Sequence, residues 1–298
     1  MTIIRPLLVL LLLFASGSLA ALETTRLLDQ AVVDELQKSL EDMVAAQGLT
    51  TAVSSRELAL MLVIVTDPEH PKLAELNGRN MVYAASLPKI AILLGAAVSI
   101  EEGSLDLDED LKSDLTSMIR SSCNPCATRV LEKVGRQRLL EILQAPEYNY
   151  YDKSGSGGLW VGKDYGPGAA YQRDPLSGLS HGATAFQAAR FYYELHTGVL
   201  VSPEQSMMML EALSDSAIQH KFVKGLSNVP GIEIYRKSGT WKNYHADSAL
   251  VRANGLTYII VALANHSKGG LWLEQLAAPM HQLAVSHNLQ PQQPASSK

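Results

Sequence analysis

A serine and a lysine three residues apart, Ser86-Leu87-Pro88-Lys89, interrupt the apolar run MVYAASLPKIAILLGAAVSI at 81–100, in which Lys89 is the only charge. An ammonium buried on such a segment is costly unless something offsets it. Residues three apart share one helix face, so the amine can approach the hydroxyl. Desolvation disfavours the charged form of lysine and lowers its pKa, which makes the amine a base. A serine needs such a base to attack a carbonyl. On its own the pair is a weak signal. Its structural alternative is an N-cap serine that opens a helix, with Pro88 in the first turn and a snorkelling lysine.

Two later features add weight. Ser122-Cys123-Asn124 falls at a loop-to-helix junction, where a hydroxyl and an amide can enter a cleft. Lys237-Ser238-Gly239-Thr240 ends the strand-like IEIYRKSGT, where Gly239 would let a substrate come close to the backbone. Ser-x-x-Lys, Ser-x-Asn and Lys-Ser-Gly in this order form the signature of serine β-lactamases and penicillin-binding proteins. The chain therefore resembles the penicillin-recognising serine hydrolases, most closely the class A β-lactamase-like branch, over almost all of its length after the leader. That resemblance implies an acylated nucleophile at Ser86, with Lys89 as general base or proton relay. It makes Ser122 a proton carrier to the leaving nitrogen and Asn124 the holder of the substrate's amide side chain. Lys237 and Ser238 would bind a substrate carboxylate, and the main-chain N–H groups of Ser86 and Thr240 would form the oxyanion hole.

The chain departs from the class A pattern in three places. The first two motifs lie closer together than that pattern has them, and Cys123 stands where an Asp is usual. The loop expected to carry Glu-x-x-Leu-Asn, whose Glu activates the deacylating water, corresponds to 152–180, which contains no Glu. Asp164 and Asp174 are the candidate substitutes in that loop, against a plainer role as loop-fixing acceptors.

The elements that must position these residues follow from the hydrophobic pattern. Helical periodicity covers 24–47, and strand-like runs follow at 57–67 and at NMVYAAS (80–86). Helices are expected at 87–102, 108–121, 125–133, 136–144, 184–196, 203–213 and 215–225. The chain then returns to strands at 232–239, 245–253 and 256–265, the last two joined by the hairpin signal Asn254-Gly255. A helix over 271–287 follows. This order implies an α/β fold in which early and late strands form one largely antiparallel sheet, flanked by the N- and C-terminal helices. Residues of about 24–85 and 230–288 form that lobe, and about 86–228 form an inserted all-helical lobe. A cleft between lobes is a favoured binding place.

The full chain of 298 residues has 25 Lys and Arg against 30 Asp and Glu, for a net charge of −5, and no basic run. Nucleic-acid phosphates are therefore not expected as partners. The opening MTIIRPLLVLLLLFASGSLA reads as a signal peptide over 1–20, from which export to the periplasm is expected, with no stable membrane anchor after cleavage. Residues 21–290 then form one catalytic domain, and 291–298 a disordered tail. The run 81–100 is long enough for a membrane span, but central Lys89 and Pro88 argue for a buried helix instead. Gly157 to Lys163 mimics a phosphate loop, but Asp164 stands where Ser or Thr is needed. Cys123 and Cys126, the only cysteines, could form a local disulfide or a redox pair. No spacing suggests a metal site, and no cofactor is expected. His181 and His245 read as structural, Met207-Met208-Met209 as helix packing, and Trp160 and Tyr165 as cleft-mouth or loop-anchoring residues. The expected function is hydrolysis of β-lactams or related amides by an exported serine enzyme, with a small-molecule or peptide substrate bearing a carboxylate. The alternatives are a penicillin-binding-protein-like peptidase or transpeptidase with slow deacylation, and a non-catalytic binding domain on the same fold.

Overall fold

The computed structural model describes residues 22–288; the leader expected at 1–20 and the tail at 291–298 lie outside them. Helical residues 22–30 (α1), Asp34–Ala46 (α2) and Thr50–Ser54 (α3) lead into strands Leu58–Ile64 (β1) and Lys72–Leu76 (β2), and then Val82–Tyr83 (β3). The inserted lobe begins with helices Lys89–Glu101 (α4), Glu109–Arg120 (α5), Asn124–Val134 (α6) and Arg136–Gln144 (α7). Short strands Tyr151–Asp152 (β4), Gly157–Gly158 (β5), Trp160–Val161 (β6) and His181–Ala183 (β7) follow, then helices Ala185–Thr197 (α8), Pro203–Leu213 (α9) and Phe222–Gly225 (α10). Strands Glu233–Trp241 (β8), Tyr244–Ala253 (β9) and Leu256–Asn265 (β10) and helix Gly269–Asn288 (α11) complete the fold.

Five strands make one antiparallel sheet in the order β2-β1-β10-β9-β8. The run ELALMLVIV is apolar at successive positions because β1 is buried on both faces. Ala59, Met61 and Val63 enter the core shared with the inserted lobe, while Leu58, Leu60, Leu62 and Ile64 enter the core beneath α2 and α11. Leu36, Leu40 and Val44 supply the apolar stripe of α2. At the β9–β10 hairpin, Asn254 and Gly255 both take positive φ, 51° and 79°, as the two-residue turn requires.

Four expectations are corrected. The helix over 24–47 breaks near residues 31–33, because Leu73 N–H donates to Ala31 O at 2.7 Å and Val33 N–H to Leu73 O at 3.1 Å. Those backbone groups pair with β2, a strand whose polar sequence KLAEL hid it. The segment NMVYAAS holds only the two-residue β3, which pairs with β7 in a separate small sheet. Of 215–225, only Phe222–Gly225 is helical; Asp215 and Lys221 have left-handed backbone, and the Arg236 guanidinium takes the carbonyls of Ile218 and His220. Because of β4 to β7, the inserted lobe is not all-helical.

Candidate active site

The chain leaves β3 through Ala85, whose φ of 52° is unusual for a residue with a side chain, and enters a tight turn at Ser86. The expected N-cap role for Ser86 is not what this turn gives: α4 starts at Lys89, capped by Pro88 without a side-chain bond. The turn is closed by backbone bonds from Leu87 to Ala84 and from Lys89 to Ser86. Ser86 is partly buried in the cleft lining, and among the described residues its hydroxyl has no hydrogen-bond partner. Its backbone N–H likewise donates to nothing among them.

Lys89 opens α4, a helix buried on every side from Lys89 to Ser99. This explains why the segment lacks a polar face. The Lys89 amine is itself fully buried, and that burial pulls its pKa from 10.5 to about 7. It donates to Ser122 O at 2.6 Å, to Asn124 Oδ1 at 2.8 Å and to Ser122 Oγ at 3.3 Å. The face of Tyr165 covers it, 4.6 Å from ring centroid to Nζ. Ser122 also has positive φ, 59°, a strained backbone that aims both its carbonyl and its hydroxyl at Lys89. Asn124 begins α6, with Pro125 in its first turn. Cys123, between the two lysine partners, is bonded to Cys126. The local disulfide, one of the two expectations for these cysteines, is thus present.

Strand β8 supplies the second wall. Buried Lys237 donates to Ser122 Oγ at 3.0 Å and to Ser238 O at 2.9 Å. Burial, then the nearby charges of Lys89 and Arg236, hold its pKa well below the usual lysine range. Ser122 Oγ therefore accepts from two amines and keeps its own proton to donate. Gly239 differs from expectation. A Cβ there would strike Ala84 O and stand 2.7 Å from Ser86 N and 2.9 Å from Leu87 N. The bare backbone is needed to seat β8 against the Ser86 turn, before any substrate arrives. Thr240 is exposed on the cleft side of the same strand. Sequence reasoning missed Lys221, which lies buried behind β8 and donates to Gly239 O at 2.6 Å, Thr240 Oγ1 at 2.9 Å and Ala246 O at 3.1 Å. Burial lowers its pKa to about 8. Nothing in the motif pattern marks a lysine so distant in sequence.

A cleft of about 690 Å³ opens above Ser86, lined also by Asn124, Thr240, Tyr83, Tyr244 and the loop residues Lys163 to Pro167. Asp164 reaches its lining but is clamped by Arg136, at 2.8 Å to each carboxylate oxygen. Asp174 is buried, accepting from Tyr151 Oη at 2.9 Å and from the backbone of Leu176, Ser177 and Leu179. Both carboxylates are committed to holding the loop, so neither stands as a free base over Ser86. Tyr165 occupies the space over Lys89 and donates to Ala85 O at 3.2 Å. Trp160 is a buried loop anchor, bonded to Gln172 O. His181 lines the cleft against Tyr165 and is kept neutral by burial, with its pKa lowered to about 4. The glycines of the phosphate-loop mimic serve packing: a Cβ on Gly162 would meet Gln172 O.

The model of the beta-lactamase enzyme family matches residues 111–284. The chain belongs to this family. Solved structures agree in fold. A structure of PBP-A is 17% identical with a TM-score of 0.64, covering 87% of this chain and 98% of that one. A PBP-A mutant solved as an acyl-enzyme complex with penicillin G is 18% identical with the same coverage and TM-score. A β-lactamase from Sphaerobacter thermophilus is 16% identical with a TM-score of 0.63, covering 82% and 98%. No curated protein matches the chain significantly. Among the described residues, no helix is long and apolar enough to cross a membrane, and no cluster of side chains could hold a metal ion.

Proposed function

We propose that this family member is a serine hydrolase that forms an acyl-enzyme through Ser86. The observation that carries the reading is Lys89: a fully buried amine with a pKa near 7, at the head of α4 three residues after Ser86, and hydrogen-bonded to Ser122 and Asn124. In the neutral form it takes the Ser86 proton as Oγ attacks an amide carbonyl. The N–H groups of Ser86 and Thr240 receive the developing oxyanion. Ser122, between the two amines, passes a proton to the leaving nitrogen as the C–N bond breaks. Lys237, Ser238 and Thr240 hold the substrate carboxylate, and Asn124 the acyl amide. Export through cleavage of residues 1–20 to the periplasm, and action on small-molecule or peptide donors, belong to the same proposal; N-terminal sequencing of the purified protein tests the first.

A second specific observation favours slow release of the acyl group. Among the described residues the one carboxylate lining the cleft, Asp164, is spent on Arg136, and an aromatic ring covers Lys89. The function is then closer to penicillin-binding-protein acyl transfer than to rapid β-lactam turnover. Intact mass of the protein with benzylpenicillin over time tests both parts. A persistent adduct absent from Ser86→Ala is expected. A transient adduct with turnover overturns slow release, and labelling equal to that of Ser86→Ala overturns the acyl-enzyme.

A further inference from the structure

The cleft is more cationic than one carboxylate needs. Besides the β8 wall, the loop opposite lines it with Lys163 and Arg173. Ion pairs are frequent elsewhere, as in Arg129 with Asp114, Arg138 with Glu102 and Arg236 with Asp247, and the carboxylate in the cleft lining, Asp164, is taken by Arg136. Among the described residues, however, no carboxylate lies within 4.0 Å of a side-chain nitrogen of Lys163 or Arg173. The donors on the loop are not used up. Lys163 reaches the carbonyls of Gly166 and, at 3.4 Å, Asp164. Arg173 spends one N–H on Gly178 O at 2.9 Å, leaving most of the five in its guanidinium fork available. The chain as a whole is acidic, with a net charge of −5, so this unpaired positive wall runs against its composition.

We propose that the loop wall is a subsite for a second carboxylate, held by Lys163 and Arg173, on the acyl side of the substrate. This rests on the acyl-donor reading above, which assigns the first carboxylate to Lys237, Ser238 and Thr240 and places Ser86 between the walls. A donor that is neutral at its acyl end leaves both loop cations uncompensated. One with a carboxylate there gains charge-assisted hydrogen bonds, bidentate where the arginine fork meets it. The preferred donor is therefore a dianion: an acidic peptide ending in a free carboxylate, or a penicillin carboxylated next to its side-chain amide.

The test uses carbenicillin, which is benzylpenicillin with one added carboxylate at that position. Equilibrium binding to Ser86→Ala by titration calorimetry reads the subsite without acylation. We expect carbenicillin to bind about tenfold more tightly than benzylpenicillin in low salt. The preference should fall towards one in Ser86→Ala/Lys163→Met and in Ser86→Ala/Arg173→Gln. Two variants are needed because Lys163 also ties the loop through Gly166. Equal affinities, binding of neither penicillin, or a preference unchanged in both double variants overturns the proposal. Wild-type protein that shows no adduct, while Ser86→Ala keeps the preference, would sink the acyl-enzyme and leave the subsite standing.

Discussion

At the scale of the residue, Lys89 makes two demands that can be measured separately. As a base it must be neutral, so the rate of penicillin labelling should rise as pH rises through about 7. Lys89→Met should remove that limb along with the labelling, and a profile flat from pH 5 to 8 would remove Lys89 from the mechanism. The second demand is on stability. The unfolded lysine keeps its proton up to about 10.5, whereas the folded one loses it near 7. Between those values the unfolded chain binds more protons, so stability gained at high pH is lost as pH falls towards 7, by up to about 1.4 kcal/mol per pH unit. Lys221 and Lys237, also depressed by burial, act in the same direction. Urea midpoints measured between pH 7 and 9.5 should therefore rise in the wild type and rise less steeply in Lys89→Met. This much was legible in the sequence, because one charge in twenty apolar residues needs a reason. The amine's partners were less so: it reaches Ser122 and Asn124, some 33 and 35 positions away, rather than the serine three residues before it.

At the scale of the element, the site depends on how closely β8 seats against the Ser86 turn. Gly239→Ala puts a methyl group against backbone atoms that cannot rotate away, Ala84 O and Ser86 N. We expect a loss of roughly 1–3 kcal/mol of stability, with labelling slowed far more than the remaining folded fraction accounts for. A Gly239→Ala protein that labels at the wild-type rate would show that this contact does not set the geometry. The bridge between Cys123 and Cys126 has the opposite balance. It closes a loop too short to contribute more than about 2 kcal/mol through chain entropy, yet it ties Cys123, which lies between Ser122 and Asn124, to the first turn of α6. Mild reduction should slow labelling several-fold while circular dichroism stays unchanged, and Cys123→Ser/Cys126→Ser should be insensitive to reductant. Helix boundaries such as 136–144 and 203–213 were readable from periodicity and coincide with the observed elements. Strand β2 and the break after α1 were not, because each is decided by backbone pairing between them rather than by local preference.

At the scale of the whole molecule, two cores on either face of one sheet fix the lobes, and the cleft is what remains between them. The order of helices and strands foretold that arrangement. The sequence could not show how charge would be distributed over it, since Lys163 and Arg173 come to one cleft with Ser86 and Thr240 only in the fold. That distribution separates two expectations for the encounter with an anionic penicillin. If the net charge of −5 governs, the protein repels the ligand, and screening by salt should speed labelling. If the unpaired cations of the cleft govern, salt should slow it, because a field focused by low-dielectric walls outweighs a diffuse one at short range. At 0.01 M the Debye length of about 30 Å lets the cleft cations act on an approaching anion from a distance, and at 0.15 M, where it is about 8 Å, that reach is lost. We therefore expect the second-order labelling rate of the wild type to drop with ionic strength over that range. The drop should be steeper for carbenicillin than for benzylpenicillin, since the dianion carries twice the charge into the same field. A labelling rate that climbs with salt would place control in the acidic surface and leave the cleft cations with a local role only.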